Sequence, residues 1–245
     1  MLDITMTATR RPEIIERTIQ SFKENMLWNC DCLLTANIDP VGGSEEDGEA
    51  AARVMEKHFN AHIRMPKVAD FGGAFKWCWE QTTADYVLHL EEDWELLKPI
   101  DLSQILRLLE LHKDLALLRL PAFPSTEKTM KNWNKFFLWN GEFFECPEDL
   151  RITVGFCGHP SIIKGEYIHR CVRWLESNRN PEKQFHKGGP RKLTAEVLRW
   201  RYGVFGGLCE SPTVRDIGRE WIVKSPWRKQ GSKAFFNRWE KIDGV

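Results

Sequence analysis

A chain of 245 residues is long enough to bury one sizeable core, and its 35 basic and 35 acidic residues cancel, so no global attraction to nucleic acid or an anionic membrane exists. Seven cysteines, an odd number without C-x-x-C pairs, argue against a disulfide framework or a zinc finger and suit reduced thiols; Cys30 and Cys32 read as packing residues. With no signal-like opening and no stretch near the roughly 20 apolar residues of a spanning helix, the expectation is a soluble, cytoplasmic protein with no membrane partner.

Leu2 to Thr7 reads as a first strand, and Pro12 opens a helix over Glu13 to Asn25 whose inner stripe is Ile14, Ile15, Ile19 and Phe22. Cys32 to Ile38 is a second strand ending in Asp39-Pro40 and a glycine-bearing loop through Gly48. A helix over about Glu49 to Asn60 and a short strand over His62 to Met65 follow. The turn Phe71-Gly72-Gly73-Ala74 then feeds a helix, and the apolar run Tyr86 to Leu90 stops abruptly in Glu91-Glu92-Asp93-Trp94-Glu95. This alternation predicts an α/β sheet with helices on both faces. Ligands on such sheets bind at the carboxyl ends of strands, where Thr7 to Arg11, Asp39 and Glu91 to Asp93 would lie.

The second half is less regular. Asp101 to His112 is an amphipathic helix, Leu115 to Leu120 a strand, Trp133 to Phe144 an aromatic stretch, and Ile152 to Ile163 a strand and turn around Gly158-His159-Pro160. Gly165 to Glu176 reads as a helix, Ser177 to Lys192 as a mobile loop, Thr194 to Tyr202 as a helix, and Val214 to Gly218 as a strand with a turn. The tail from Arg219 is basic and aromatic. Tryptophans such as Trp200, Trp221, Trp227 and Trp239 read by default as core, with a binding surface as the alternative.

Three acids in a row at the end of a buried strand repel one another, and a divalent cation or a set of donors relieves that cost; a solvated turn is the competing reading. Strand alternation points Glu91 and Asp93 one way and Glu92 the other, so the first two can share an ion.

Taken together, Thr7-Ala8-Thr9-Arg10-Arg11-Pro12-Glu13, Asp39, Phe71-Gly72-Gly73-Ala74 and Asp85 to Trp94 resemble, in order and spacing, the nucleotide-sugar-binding half of a GT-A fold glycosyltransferase of the family 2-like group. The resemblance implies a Rossmann-like mixed α/β sheet flanked by helices with an irregular acceptor-side C-terminal half. One domain would comprise a nucleotide-sugar-binding half (1–98), an acceptor-side half (99–218) and a tail (219–245). It implies a hexosyl- or pentosyltransferase acting on a nucleotide-sugar donor, UDP-linked in the first instance, with Mn²⁺ or Mg²⁺ as Lewis acid. By the same resemblance Thr7, Thr9 and Arg10 border the base and ribose and Asp39 accepts a hydrogen bond from the base. Gly72 and Gly73 let backbone approach the nucleotide, and Lys76 reaches a phosphate. Arg11 binds phosphate or pairs with an acid at the helix start, Glu91 faces ribose or metal, and Asp93 is the firmest metal ligand. The chain departs from the family in carrying Glu-Glu-Asp where aspartates are usual and Phe71 where asparagine is common.

Asp216 stands where relatives carry a metal-completing histidine motif, and either fills that role or pairs with Arg215 or Arg219. An inverting transferase needs a general base, for which Glu182 and Glu196 both qualify; retaining chemistry stays open. His159 caps a turn or belongs to the acceptor side. Rival readings are a metal-dependent nucleotidyltransferase, a metal-dependent nuclease, and a nucleic-acid-binding module using Arg219, Lys224, Trp227, Arg228, Lys229, Lys233 and Trp239. The same tail residues suit a lid over the donor. The acceptor is expected to be a glycan, a protein or a hydroxylated DNA base of the kind made in bacteriophage DNA modification.

Overall fold

The computed structural model describes residues 2–122, 137–207, 211–230 and 238–242, with the side chains of 228–230 and 238–241 excepted. Lys233 therefore lies outside the described residues, as do the side chains of Arg228, Lys229 and Trp239. The first half runs β1 (Leu2–Thr9), α1 (Pro12–Asn25), β2 (Cys32–Asp39), α2 (Glu45–His58), β3 (Asn60–Arg64), α3 (Phe71–Glu80), β4 (Tyr86–Glu91) and β5 (Trp94–Leu96). Then come α4 (Leu102–Leu111), β6 (Leu115–Arg119), β7 (Leu138–Trp139), β8 (Phe144–Glu145), α5 (Arg151–Val154), β9 (Ser161–Lys164), α6 (Gly165–Val172), α7 (Pro181–Gln184), α8 (Arg191–Arg199), β10 (Arg201–Val204) and β11 (Val214–Asp216). The chain closes with α9 (Gly218–Lys224) and a hairpin of β12 (Trp227–Gln230) and β13 (Arg238–Lys241).

The main sheet has the order β3-β2-β1-β4-β9-β6-β10-β8-β7. β3, β2, β1 and β4 run parallel, β9 is antiparallel to both β4 and β6, and β10 is parallel to β6. β4 and β6 therefore point the same way and end at the same edge. Alternation along β4 sends Leu88 and Leu90 into a core with Ile15, Ile19 and Phe22 of α1 and Ile105 and Leu109 of α4. Val87 faces a second core with Phe75 and Trp79 of α3, Tyr167 of α6 and Val197 of α8. Each such fully buried side chain contributes roughly 1.5 to 3 kcal/mol, and the two cores hold helices on both faces as the βα alternation predicts. Among the described residues no helix is long and apolar enough to cross a membrane.

Several sequence boundaries shift for local reasons. α2 starts at Glu45 because Ser44 accepts from Asp47 N and Asp47 returns a bond to Ser44 N, a capping box ahead of the apolar stripe. Of Ile152 to Ile163, the stretch expected to be strand and turn, residues 151–154 are helical and the strand spans Ser161–Lys164. The expected loop over Ser177 to Lys192 carries α7, with Pro181 at its first turn and Asn180 as cap. Buried Gln184 ties that segment down, accepting from Glu176 N at 2.8 Å and donating to Glu176 O at 2.9 Å, while Phe185 packs into the second core. Trp200 is core, following its default reading.

Candidate active site

Register places the expected residues along one edge. Thr9 lies opposite Asp39 and Thr7 opposite Glu91, so the carboxyl ends of β1, β2 and β4 coincide. A cavity of about 290 Å³ opens there, lined by Thr7, Thr9, Arg11, Asp39, Phe71, Glu91, Glu92, Asp93, His159 and Glu182 among others.

The acids do not follow the strand alternation expected of them. β4 stops at Glu91 and residues 92 and 93 turn toward β5, so all three carboxylates line the same cavity. Glu92, which the alternation points away, is the buried one of the three. Its Oε1 accepts from Thr9 N at 3.1 Å, from Thr9 Oγ1 at 2.8 Å and from Arg11 Nη2. Arg11 Nη2 also reaches Asp93 Oδ2 at 3.1 Å, and Arg11 Nε donates to Thr9 Oγ1 at 2.8 Å. Of the two roles open to Arg11, the structure shows the ion pair, 5 % exposed. Burial alone lowers a guanidinium pKa, but the charges of Glu92 and Asp93 outweigh it and hold Arg11 above its ordinary value.

Asp93 is pushed up to about 6, first by burial and then by the Glu92 charge, with Asp216 adding to it and Arg11 opposing. β11 brings Asp216 close by pairing it with Trp94. Asp216 does not line the cavity, however: it accepts from Gly218 N at 3.0 Å in the first turn of α9 and pairs with Arg219 at 2.8 Å. Arg215, the other expected partner, pairs with Glu95. Glu91 packs against Gly158, where a Cβ would lie 2.6 Å from Glu91 Oε1. Among the described residues no three His, Cys, Asp or Glu side chains are gathered as a ready-made metal cage. The donor set still fits a hard cation of the Mg²⁺ type, which takes one or two carboxylates plus substrate phosphates: oxygen ligands line the cavity and crowded Asp93 is strained toward protonation, which a cation would relieve.

Asp39 is 6 % exposed, and burial raises it to about 6 although Asn37 Nδ2 at 2.8 Å and Asp70 N at 3.2 Å both donate to it. Glu182 of α7 lines the same cavity beside Asn180. His159 packs on Trp94 with ring centroids 4.8 Å apart, and burial lowers it to about 4, keeping the imidazole neutral. From the tail, Trp221 of α9 stacks on Arg11 at 4.8 Å. The sequence pattern sets Glu92 at this edge without a role in the site, and reads Trp221 by default as core with a binding surface as the alternative. The cue for Glu92 was the turn itself, since alternation ends where the strand does.

Other expected residues lie elsewhere. Arg10 turns onto α2, where a Cβ on Gly48 would meet its Nε at 3.2 Å. Lys76 faces the segment before α7, donating to Leu175 O at 3.0 Å, and does not line the cavity. The two turn glycines answer to packing: a Cβ on Gly72 would lie 2.1 Å from Ser177 O, and one on Gly73 2.2 Å from Asp70 Oδ2, the cap of α3. Glu196 is at the wrong edge. α8 runs into the start of β10, so Glu196 sits at the amino end of the sheet, in a separate cavity with Lys113, Glu166 and Arg199.

No family model and no curated protein matches this chain. Solved structures do. S. aureus TarS in complex with UDP-GlcNAc superposes with a TM-score of 0.59 over 87 % of this chain at 10 % identity. The mannosyltransferase PcManGT from Pyrobaculum calidifontis, in complex with GDP-Man and Mn²⁺, gives 0.58 over 83 % at 11 % identity. A second structure of S. aureus TarS 1-349 gives 0.58 over 91 % at 11 % identity. The chain spans 57 %, 56 % and 63 % of those three chains. It thus has the GT-A-like glycosyltransferase fold expected from its sequence, a mixed α/β sheet flanked by helices.

Proposed function

We propose that this chain is a glycosyltransferase that moves a sugar from a nucleotide-sugar donor to an acceptor hydroxyl. The observation that carries the reading is the convergence of Asp39, Glu91, Glu92, Asp93 and Glu182 on one cavity at the carboxyl edge of the sheet. Structures of the same fold are solved with UDP-GlcNAc and with GDP-Man. In our reading the base lies toward Asp39, which accepts its N–H as a uracil would offer it, and the diphosphate lies toward Arg11 and Asp93. Thr7 and Thr9 line the intervening edge.

The acceptor hydroxyl gives its proton to the Glu182 carboxylate as its oxygen bonds to the anomeric carbon. The bond from that carbon to the diphosphate oxygen breaks, its electron pair leaves with the nucleoside diphosphate, and configuration inverts. Mn²⁺ or Mg²⁺, held by Asp93 with Glu91, would supply Lewis-acid stabilisation of the charge on that leaving group. Arg11 sits between Glu92 and Asp93 and keeps positive charge at the same place. Trp221 on Arg11 supports the tail as part of the donor site, and Arg219 is engaged by Asp216. The acceptor is a glycan, a protein hydroxyl or a hydroxylated DNA base. A screen of UDP- and GDP-sugars for release of the nucleoside diphosphate with Mn²⁺ tests the reading; no release from any donor counts against it.

A further inference from the structure

β6 ends in Arg119 at the same edge as Glu91. The residue is 3 % exposed, and among the described residues its hydrogen bonds go to backbone carbonyls and not to a carboxylate. Its Nη2 donates to Val154 O and, at 2.6 Å, to Gly155 O, its Cζ lies 5.1 Å from the centroid of the Phe137 ring, and among the described residues its Nε has no hydrogen-bond partner. Among the described residues this buried cation is answered by two carbonyl dipoles and an aromatic face but by no carboxylate, an arrangement that is costly and that a ligand bringing the missing negative charge would relieve. Arg119 lines a second cavity of about 240 Å³, whose described walls include Thr153, Cys157, His159 and His186. His159 belongs to the walls of both cavities, so the second adjoins the first, and the charge of Glu182 reaches both His159 and Cys157 of its wall.

We propose that this second cavity seats an anionic group, a phosphate or a carboxylate, carried by the acceptor. The inference rests on the transferase reading for the word acceptor. The anion anchors beside Arg119, and a hydroxyl of the same molecule faces Glu182 past His159. Arg119 then has two uses: it holds the carbonyl end of α5 through Nη2, and it offers the rest of its guanidinium to the ligand.

The test is calorimetric titration of the full chain, without donor, using glucose, glucose 6-phosphate, glucuronate and inorganic phosphate. Both sugar anions should bind at least about tenfold tighter than glucose, the worth of one charge-assisted contact. Arg119→Met should erase that preference while UDP affinity changes less than about twofold, and Arg119→Lys should keep part of it. Thr153 is exposed on the cavity wall, so Thr153→Glu leaves the core intact and should also abolish the preference by opposing charge. It decides the matter if Arg119→Met does not fold. Equal binding of glucose and glucose 6-phosphate overturns the proposal, as does an anion preference that survives Arg119→Met or Thr153→Glu. Binding of inorganic phosphate without either sugar anion shows an ion site and overturns the acceptor assignment. UDP titrated separately tells the two readings apart: anion binding without UDP binding sinks the transferase reading alone, and the reverse sinks this inference alone.

Discussion

Gly218 and Asp93 abut so closely that a Cβ on Gly218 would lie 2.0 Å from Asp93 Oδ2. The next bond along the chain fixes the same contact, Ile217 N donating to Asp93 O at 2.9 Å. The start of α9 is therefore a template for the Asp93 carboxylate, and the tail is coupled to the acid turn through it.

Gly218→Ala should displace Asp93 from Arg11. An inserted methyl in a packed site costs about 1 to 3 kcal/mol, so a modest fall in the thermal midpoint is expected together with a much larger loss of donor turnover. A variant with full turnover would show that the position of Asp93 is not critical.

If Asp39 holds the base as proposed, donor binding should depend on pH. The pKa of Asp39 is raised to about 6 by burial, so it gains a proton as pH falls through about 6 and can no longer accept from a base N–H with both oxygens charged. The donor KM should rise below that pH. Asp39→Ala should raise KM at neutral pH with kcat held, since binding shared by ground and transition states is lost, and should flatten the KM profile. An unchanged KM in Asp39→Ala removes the residue from the site.

The two candidate bases separate by position. Glu182→Gln should lower kcat by about 10² to 10⁴ with nucleotide affinity nearly intact, the usual contribution of a positioned base. Glu196→Gln, at the opposite edge of the sheet, should leave kcat unchanged. The reverse result, or no effect from either, rejects the inverting mechanism described above.

Trp221→Ala removes the ring over Arg11. A cation–π contact is worth about 0.5 to 2 kcal/mol, so the donor KM should rise about two- to thirtyfold if the tail completes the donor site. An unchanged KM together with salt-sensitive DNA binding would move the tail to the acceptor.

The first half of the fold is legible because each element carries its own period: Ile15, Ile19 and Phe22 mark one helix face, and Val87 and Leu88 the two faces of a strand. Asp39, Glu91 and Asp93 could be placed at one edge for the same reason. Glu92 could be placed at the same edge, but the turn of its carboxylate into the cavity could not be read, because it depends on a turn that ends the alternation and on partners, Thr9 and Arg11, more than eighty residues away in sequence. Glu196 misleads because a helix start is visible in sequence whereas the edge of the sheet it reaches depends on the strand that follows, here β10. Gly72 has a packing reason the sequence does not show: the carbonyls of Ser177 and Arg179 leave no room for a Cβ, a contact with no local signature. Arg119 reads as one polar residue ending an apolar strand, and its burial emerges only from packing against Phe137 and α5.

The most direct test of the account is nucleoside diphosphate release from a nucleotide-sugar, followed in parallel for the wild type and Asp93→Asn, with Mn²⁺ and with EDTA. Wild type with Mn²⁺ should turn over donor, EDTA should stop it, and Asp93→Asn should be inactive in both conditions at an unchanged thermal midpoint, because one charged ligand at a hard-cation site carries much of the affinity. Full turnover by Asp93→Asn, or by the wild type in EDTA, would contradict the assignment of this cavity as a metal-assisted donor site.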